Sequence, residues 1–289
     1  VRKPDWLRVR LPAGEEFAAT NEQLNRHRLH SVCTQARCPN LGECWARGTA
    51  TFLILGDTCT RHCRFCAVKT GNPRGAVDVD EPARVAAAVR ELGLSYVVLT
   101  SVDRDDLPDL GAGLFAETVR RLNEIPGTRV EVLVPDFDGR EELIGLVLAA
   151  APAVYGHNVE TVERLSPQVR DPRASYRRSL DVLATAKRLA PGVTVKSSLL
   201  LGLGETRAEV SATLGDLRAA GCDSLAAGQY LQPDRRSLPV ARYWTPDEFT
   251  ALEAEARALG FAAARCGPLV RSSYRAEESI AGPGSRAGT

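Results

Sequence analysis

From about residue 50 the chain alternates short apolar runs with longer stretches whose apolar positions recur every three or four residues. The first pattern predicts buried strands and the second amphipathic helices, since side chains repeat every two residues along a strand and about every 3.6 along a helix. "ATFLILG" (50–56) reads as a strand, and "EPARVAAAVRELG" (81–93) as a helix with Pro82 in its first turn and Gly93 at its end. Strands over 95–101, 128–137 and 194–202 alternate with helices over 111–123, 139–150, 174–190 and 205–220. "AVYGHNVET" (153–161) is strand and loop, "SLAAGQYL" (224–231) a strand, and 246–260 the last helix.

Six strand–helix units with short connections predict a parallel sheet covered by helices. Polar residues recur where each strand ends, in "GDTC", "TSVDRDD", "PDFD", "GHNVET", "GLGE" and "GQYLQP". That favours an α/β partial (β/α)6 TIM-like barrel, whose C-terminal rim carries the chemistry, over a doubly wound sheet. The expected organisation is an N-terminal extension over 1–48, the barrel over 49–262 and a C-terminal extension over 263–289. The last segment carries "RSSY" and a Gly/Ser/Ala tail after about Ile280 that is expected to be disordered.

Composition narrows the classes of function. Apolar residues make up 44% and charged residues 25%, with a net charge of +1, which argues against a general nucleic-acid binder or a membrane-surface protein. No apolar run reaches the length of a membrane span, and the first residues lack the apolar core of a secretory signal, so a cytoplasmic location is expected. In such a compartment the eight cysteines read as reduced thiols and metal ligands rather than disulfides. Cys222 and Cys266 stand apart and are expected to be buried free thiols.

The other six fall within 34 positions, as two triads. Cys59, Cys63 and Cys66 follow the first strand with CxxxCxxC spacing. Three thiolates from one loop can hold three irons of a [4Fe–4S] cluster and leave the fourth open to a small molecule, whereas structural zinc usually takes four protein ligands. Cys33, Cys38 and Cys44 precede the barrel with a CxxxxCxxxxxC spacing that matches neither zinc fingers nor ferredoxins.

CxxxCxxC after the first strand of a partial barrel, with Phe65 before the last cysteine, resembles the radical S-adenosylmethionine superfamily. The resemblance implies that the open iron chelates S-adenosylmethionine and that its reductive cleavage yields a 5′-deoxyadenosyl radical. It makes Thr100, Ser101 and Asp103 candidates for the methionine amino group, and Asn158 and Glu160 for the nucleoside or amino-acid moiety. Gly202 offers close backbone approach, and Glu205 a polar contact or a helix start. Each of these alone reads equally as a turn or a cap.

With "KPDWLRVRLPAG", "CPNLGECW", "GDTCTRHCRFCAV", "TSVDRDDL", "GHNVETV", "GLGET", "GQYLQP" and "GPLVRSSY" in order, the chain resembles the lipoyl synthase family from about Lys3 to Ala276. The resemblance implies a second [4Fe–4S] cluster on the first triad, with Ser273 (Ser272 the alternative) as its fourth ligand. It implies hydrogen abstraction at C6 and C8 of a protein-bound octanoyl-lysine and sulfur insertion from that sacrificial cluster. The implied partners are octanoylated lipoyl carrier domains (glycine-cleavage H protein, E2 subunits of 2-oxoacid dehydrogenases), a ferredoxin or flavodoxin donor and an iron–sulfur carrier protein. A monomer is expected. "VRDPRASYRRS" clusters Arg170, Arg173, Arg177 and Arg178 as a candidate docking surface for an acidic carrier, or else a solvated helix start. Arg275 stands where a His is common in the family, and Ala226 and Ala227 where bulkier residues are frequent. The rival readings are another radical enzyme with an auxiliary cluster, such as a biotin-synthase-like sulfur inserter, and a non-catalytic zinc module.

Overall fold

The computed structural model describes residues 3–8, 22–35, 38, 40, 43–44 and 50–279. Half of the 1–48 extension and the tail after Ser279 lie outside the described residues. The strands are β1 (His30–Ser31), β2 (Ala50–Ile54), β3 (Thr58–Cys59), β4 (Lys69–Thr70), β5 (Tyr96–Ser101), β6 (Arg129–Leu133), β7 (Val154–Gly156), β8 (Thr194–Leu201), β9 (Ser224–Gln229) and β10 (Ala263–Gly267). The helices are α1 (Val32–Gln35), α2 (Glu81–Leu92), α3 (Ala112–Asn123), α4 (Glu141–Leu148), α5 (Ser166–Val169), α6 (Tyr176–Leu189), α7 (Arg207–Ala219) and α8 (Pro246–Ala258).

Eight strands form one mixed sheet in the order β1-β2-β5-β6-β7-β8-β9-β10. Only β1 runs antiparallel, so the other seven deliver their C-terminal ends to one rim. The expected six strands are all present, and β10 is a seventh parallel strand that the sequence pattern did not reveal. Its sequence, "AARCG", has a charge at its centre and ends in Gly, so the strand exists through pairing with β9 rather than through its own propensity. The sheet matches a partial barrel: β1 and β10 are its two edges.

Parallel register sorts the side chains into two faces. Phe52, Ile54, Val97, Leu99, Val130, Val132, Tyr155, Val195, Leu199, Leu201, Leu225 and Ala227 face the helices and share one core with Val89, Phe115, Leu183, Leu214 and Leu252. Each side chain of that kind contributes about 1.5–3 kcal/mol on full burial. The opposite face is smaller and more polar. Tyr96 and Val98 pack there on Ala276, and Glu131 joins Lys196 Nζ and Tyr96 Oη at 2.8 and 2.7 Å.

The helices begin where local chemistry starts them. Thr206 and Thr245 each close a capping box with the Glu three residues on, and Pro246 opens α8. Gly93 ends α2 at φ 62°, as its position suggested.

Candidate active site at the barrel rim

The CxxxCxxC loop leaves β2, and its β3 pairs with β4. Each of its three sulfurs accepts a peptide N–H: Cys59 from Arg61 at 3.4 Å, Cys66 from Val68 at 3.4 Å and Cys63 from Asp171 at 3.3 Å. Amides aimed at the sulfurs, two from the loop and one from Asp171, favour thiolates, the form that binds iron. Against this, burial pushes the Cys59 and Cys63 thiols up to about 12, Asp103 adding to the effect at Cys59. A bound cationic cluster reverses that balance, so the donor set fits one. Among the described residues no three Cys, His, Asp or Glu side chains converge on a single metal ion. A cluster that ligates one cysteine per iron needs a wider spacing than one zinc does.

Arg61, between Cys59 and Cys63, fixes this loop to its neighbours. Its guanidinium is 5% exposed and forks onto Asp136 at 2.8 Å twice, onto Asp105 at 2.8 Å, and lies 3.4 Å from Asp103. Asp105 and Asp103 come from the β5 rim and Asp136 from the β6 rim. Thr60 Oγ1 adds bonds to Asp105 Oδ2 at 2.6 Å and the Asp103 carbonyl at 3.0 Å. From beyond β7, Asp171 accepts the His62 N–H at 2.7 Å, and Arg173 donates to the Thr60 carbonyl at 2.6 Å. The β2 loop and the β5 and β6 ends are thereby tied around one cation, and the segment beyond β7 holds the backbone of the same loop. Sequence reading named Asp103 but missed Arg61, Asp105, Asp136 and Asp171; the signal was there in carboxylates at successive strand ends opposite an Arg inside the cysteine motif.

Asp103 has one Oδ near Arg61 and the other 3.7 Å from Cys59 Sγ. Burial raises its pKa to about 6, with Asp136 and Asp105 adding to that and Arg61 opposing it. Thr100 shares the lumen face with Leu53 and Leu133, and its Oγ1 donates to the Leu133 carbonyl at 3.0 Å. Ser101 has the helix-side parity, and its Oγ is buried without a hydrogen-bond partner among the described residues. Asn158 Nδ2 donates to Glu160 Oε1 at 3.0 Å. Glu160 holds a left-handed φ of 66°, and burial raises its carboxyl pKa, Arg170 opposing. Such a strained, half-buried acid next to the rim is a feature of functional positions. Phe65 is half-buried against the core.

Glu205 faces inward. Its carboxylate accepts the Gly202 N–H at 2.6 Å, the Leu203 N–H at 2.9 Å and the Trp244 indole at 2.8 Å, while Thr206 caps the helix. Gly202 adopts φ 101°, and a Cβ there would overlap Gln229 and the Arg242 carbonyl. These two residues shape the rim loop.

The first triad meets the C-terminal motif. Cys38 N–H donates to the Cys33 carbonyl at 3.0 Å, and Cys44 N–H to Asn40 at 2.9 Å. Burial raises Cys44 to about 12, and Cys33 and Cys38 add to it, so the three sulfurs sense one another. Burial and Cys33 likewise raise Cys38, with Arg271 opposing. Asn40 Nδ2 donates to the Leu269 carbonyl at 2.6 Å, and Glu43 accepts from Tyr274 Oη and Arg275 Nη2, both at 3.0 Å. Ser272 and Ser273 lie in the turn between these ties. A Cβ on Gly228 would overlap the Val270 carbonyl, so this glycine lets the C-terminal segment cross the end of β9.

The arginines of the expected docking patch are engaged within the chain. Arg170 is buried on Ser179 Oγ at 2.8 Å, Arg173 pairs with Asp171 at 2.8 Å, Arg177 with Glu163 at 2.7 Å and Arg178 with Asp138 at 2.8 Å. Arg173, Arg177 and Arg178 thereby pair with carboxylates of the chain itself, at 49%, 65% and 33% exposure, whereas Arg170 is buried. Among the described residues no helix is long and apolar enough to cross a membrane.

Residues 53–217 match the family model of the Radical SAM superfamily. The lipoyl synthase of Deinococcus radiodurans is 55% identical over 96% of this chain and 85% of its own length. That of Thermus thermophilus is 56% identical over 95% of this chain and 85% of its own. The fold is similar to the FeFe-hydrogenase maturase HydG of Carboxydothermus hydrogenoformans, with a TM-score of 0.58 at 16% identity over 84% of this chain and 63% of that one. Identity at this level across nearly the whole chain leaves neither a zinc module nor a biotin-synthase-like enzyme standing. This chain belongs to the lipoyl synthase family, radical SAM enzymes with sulfurtransferase activity.

Proposed function

We propose a division of labour between the two cysteine triads in inserting two sulfur atoms at C6 and C8 of a protein-bound octanoyl-lysine. Cys59, Cys63 and Cys66 would hold a [4Fe–4S] cluster whose open iron takes S-adenosylmethionine. Cys33, Cys38, Cys44 and Ser273 would hold the second. When bound, these groups supply the 5′-deoxyadenosyl radical chemistry that attacks unactivated C–H bonds and the sulfur that replaces the hydrogen.

The chain's own residues do the rest. The three amides on Cys59, Cys63 and Cys66 stabilise their anionic form, and Arg61 keeps the loop in register with the rim. Asp103 presents a carboxylate beside Cys59 for the methionine amino group. Asn158 and Glu160 offer a preset donor–acceptor pair to the nucleoside or amino-acid moiety. Glu205 and Gly202 fix the adjoining loop, acting through its shape. An octanoylated lipoyl carrier domain brings the substrate, and a ferredoxin or flavodoxin the electrons.

The observation that carries the two-site reading is the Glu43 junction, which brings the "RSSY" turn to the first triad across more than 200 residues of sequence. The test is anaerobic turnover with octanoylated carrier, S-adenosylmethionine and reductant. The product should gain two sulfurs, less two hydrogens once in its disulfide form, and wild type should hold about eight Fe. Cys63→Ala should end S-adenosylmethionine cleavage. Cys38→Ala should keep part of it and end sulfur insertion; loss of both activities in a folded Cys38→Ala protein would sink the division.

A further inference from the structure

The β9–α8 loop, residues 230–245, reaches back across the rim. Leu238 N–H donates to the Arg64 carbonyl at 3.0 Å, inside the CxxxCxxC loop, and Ala241 N–H to the Gly202 carbonyl at 2.8 Å. Tyr230 Oη donates to the Leu238 carbonyl at 2.8 Å. Gln229 holds the far end by accepting the Trp244 N–H at 2.8 Å and donating to the Arg242 carbonyl at 3.1 Å. This loop is therefore fixed at the barrel mouth.

It carries Arg235 and Arg236, both exposed. Arg64 is exposed beside it, donating to the Gln168 carbonyl at 3.2 Å. Lys3 is exposed too, and lines a pocket of about 290 Å³ with Leu231, Gln232, Pro239, Val240 and Tyr243. Arg236 is two residues from Leu238, so chain geometry keeps it within roughly 15 Å of Arg64. Among the described residues none of these four cations has a carboxylate within ion-pair distance, although most arginines at the rim do. The loop's own acid, Asp234, accepts the backbone N–H of Arg236 at 2.8 Å and of Ser237 at 3.2 Å. Among the described residues these cations therefore lack a close ion-pair partner, Asp234 attracting Arg236 from farther off, on a chain whose net charge is only +1.

We propose that Lys3, Arg64, Arg235 and Arg236 form the docking surface for an acidic protein domain that presents the acyl-lysine to the barrel. This rests on the function proposed above. The surface borders the loop of the first reaction, and the adjoining pocket offers Leu231, Pro239 and Val240 to apolar side chains of a partner. Fixed cations at the rim of an interface steer encounter and set salt dependence. A patch of this size lacks the extended basic face of a nucleic-acid binder.

The test uses the anaerobically reconstituted full chain. Fluorescence anisotropy reads the Kd of an acidic octanoylated carrier domain at low and high salt, and product formation is followed from a short octanoyl-lysyl peptide. Arg235→Glu/Arg236→Glu should raise the carrier Kd about tenfold at low salt, flatten its salt dependence and leave peptide thiolation unchanged. Arg177→Glu, at an arginine already paired with Glu163, should change Kd less than about twofold. An unchanged carrier Kd, an equal loss on the peptide, or displacement by RNA or anionic vesicles ahead of acidic protein would overturn the docking proposal. Wild type that binds the carrier but thiolates neither substrate would instead overturn the proposed function and leave the docking surface standing.

Discussion

Replacing Arg61 tests whether one buried cation organises the rim. Its guanidinium is 5% exposed, and its main partner Asp136 is 1% exposed. Removing one partner of a buried pair costs about 3–5 kcal/mol, because the other charge stays behind without compensation. Here Asp105 is 21% exposed and Arg178 remains 3.8 Å from Asp136, so Arg61→Gln is expected to lose about 3 kcal/mol, the lower end of that range. Arg61→Lys keeps the charge but not the paired forks, and should lose about half as much. Urea unfolding of the anaerobic protein gives the energy, and iron content and the electron paramagnetic resonance line shape report the cluster loop. The acid limb adds a sign. Burial pushes the Asp136 carboxyl up, but Arg61 overrides it and holds the group below its ordinary range. A depressed carboxylate stabilises the fold above its unfolded pKa of about 3.9, and that stability is lost as pH falls through the folded value. Wild type should therefore lose more stability than Arg61→Gln below about pH 4. A loss under about 1 kcal/mol, with normal iron and an unaltered acid limb, would refute the hub.

The barrel was legible because each strand–helix unit carries its own periodicity, and because the polar strand ends mark the catalytic rim directly. The strand-and-loop reading of 153–161 matches β7 at Val154–Gly156, after which Asn158 and Glu160 turn toward the rim. β10 escaped notice because Arg265 points into the lumen at the middle of a five-residue strand, where alternation alone cannot reveal a partner. The cysteine spacings marked both triads as candidate cluster sites without any tertiary information. The carboxylate network around Arg61 went unread because its members lie far apart in the chain, 75 positions for Arg61 and Asp136, so the strand-end carboxylates form a pattern only once the strands lie side by side. Arginines dense in sequence turned out to be paired in space, while the Leu238–Arg64 bond brings the loop that carries Arg236 to the CxxxCxxC loop.

Two further outcomes follow from buried contacts. His157 lies between the Val134 carbonyl and Ser179 Oγ, both at 2.9 Å, and burial, aided by Arg170, lowers its pKa to about 4. A depressed base binds fewer protons folded than unfolded, so stability should fall by about 3 kcal/mol on acidification from pH 6.5 to 4, and urea midpoints should show a shallower fall in His157→Gln. Gly228→Ala is sterically a change at Val270: the new Cβ overlaps that carbonyl, so the segment leading to "RSSY" must lift off β9. The Asn40–Leu269 and Glu43–Arg275 ties then loosen together, whereas the CxxxCxxC loop keeps all its contacts. Iron should drop from about eight to about four per chain while S-adenosylmethionine cleavage persists. Retention of eight irons with full sulfur insertion would mean that the first triad does not depend on the close crossing at Gly228.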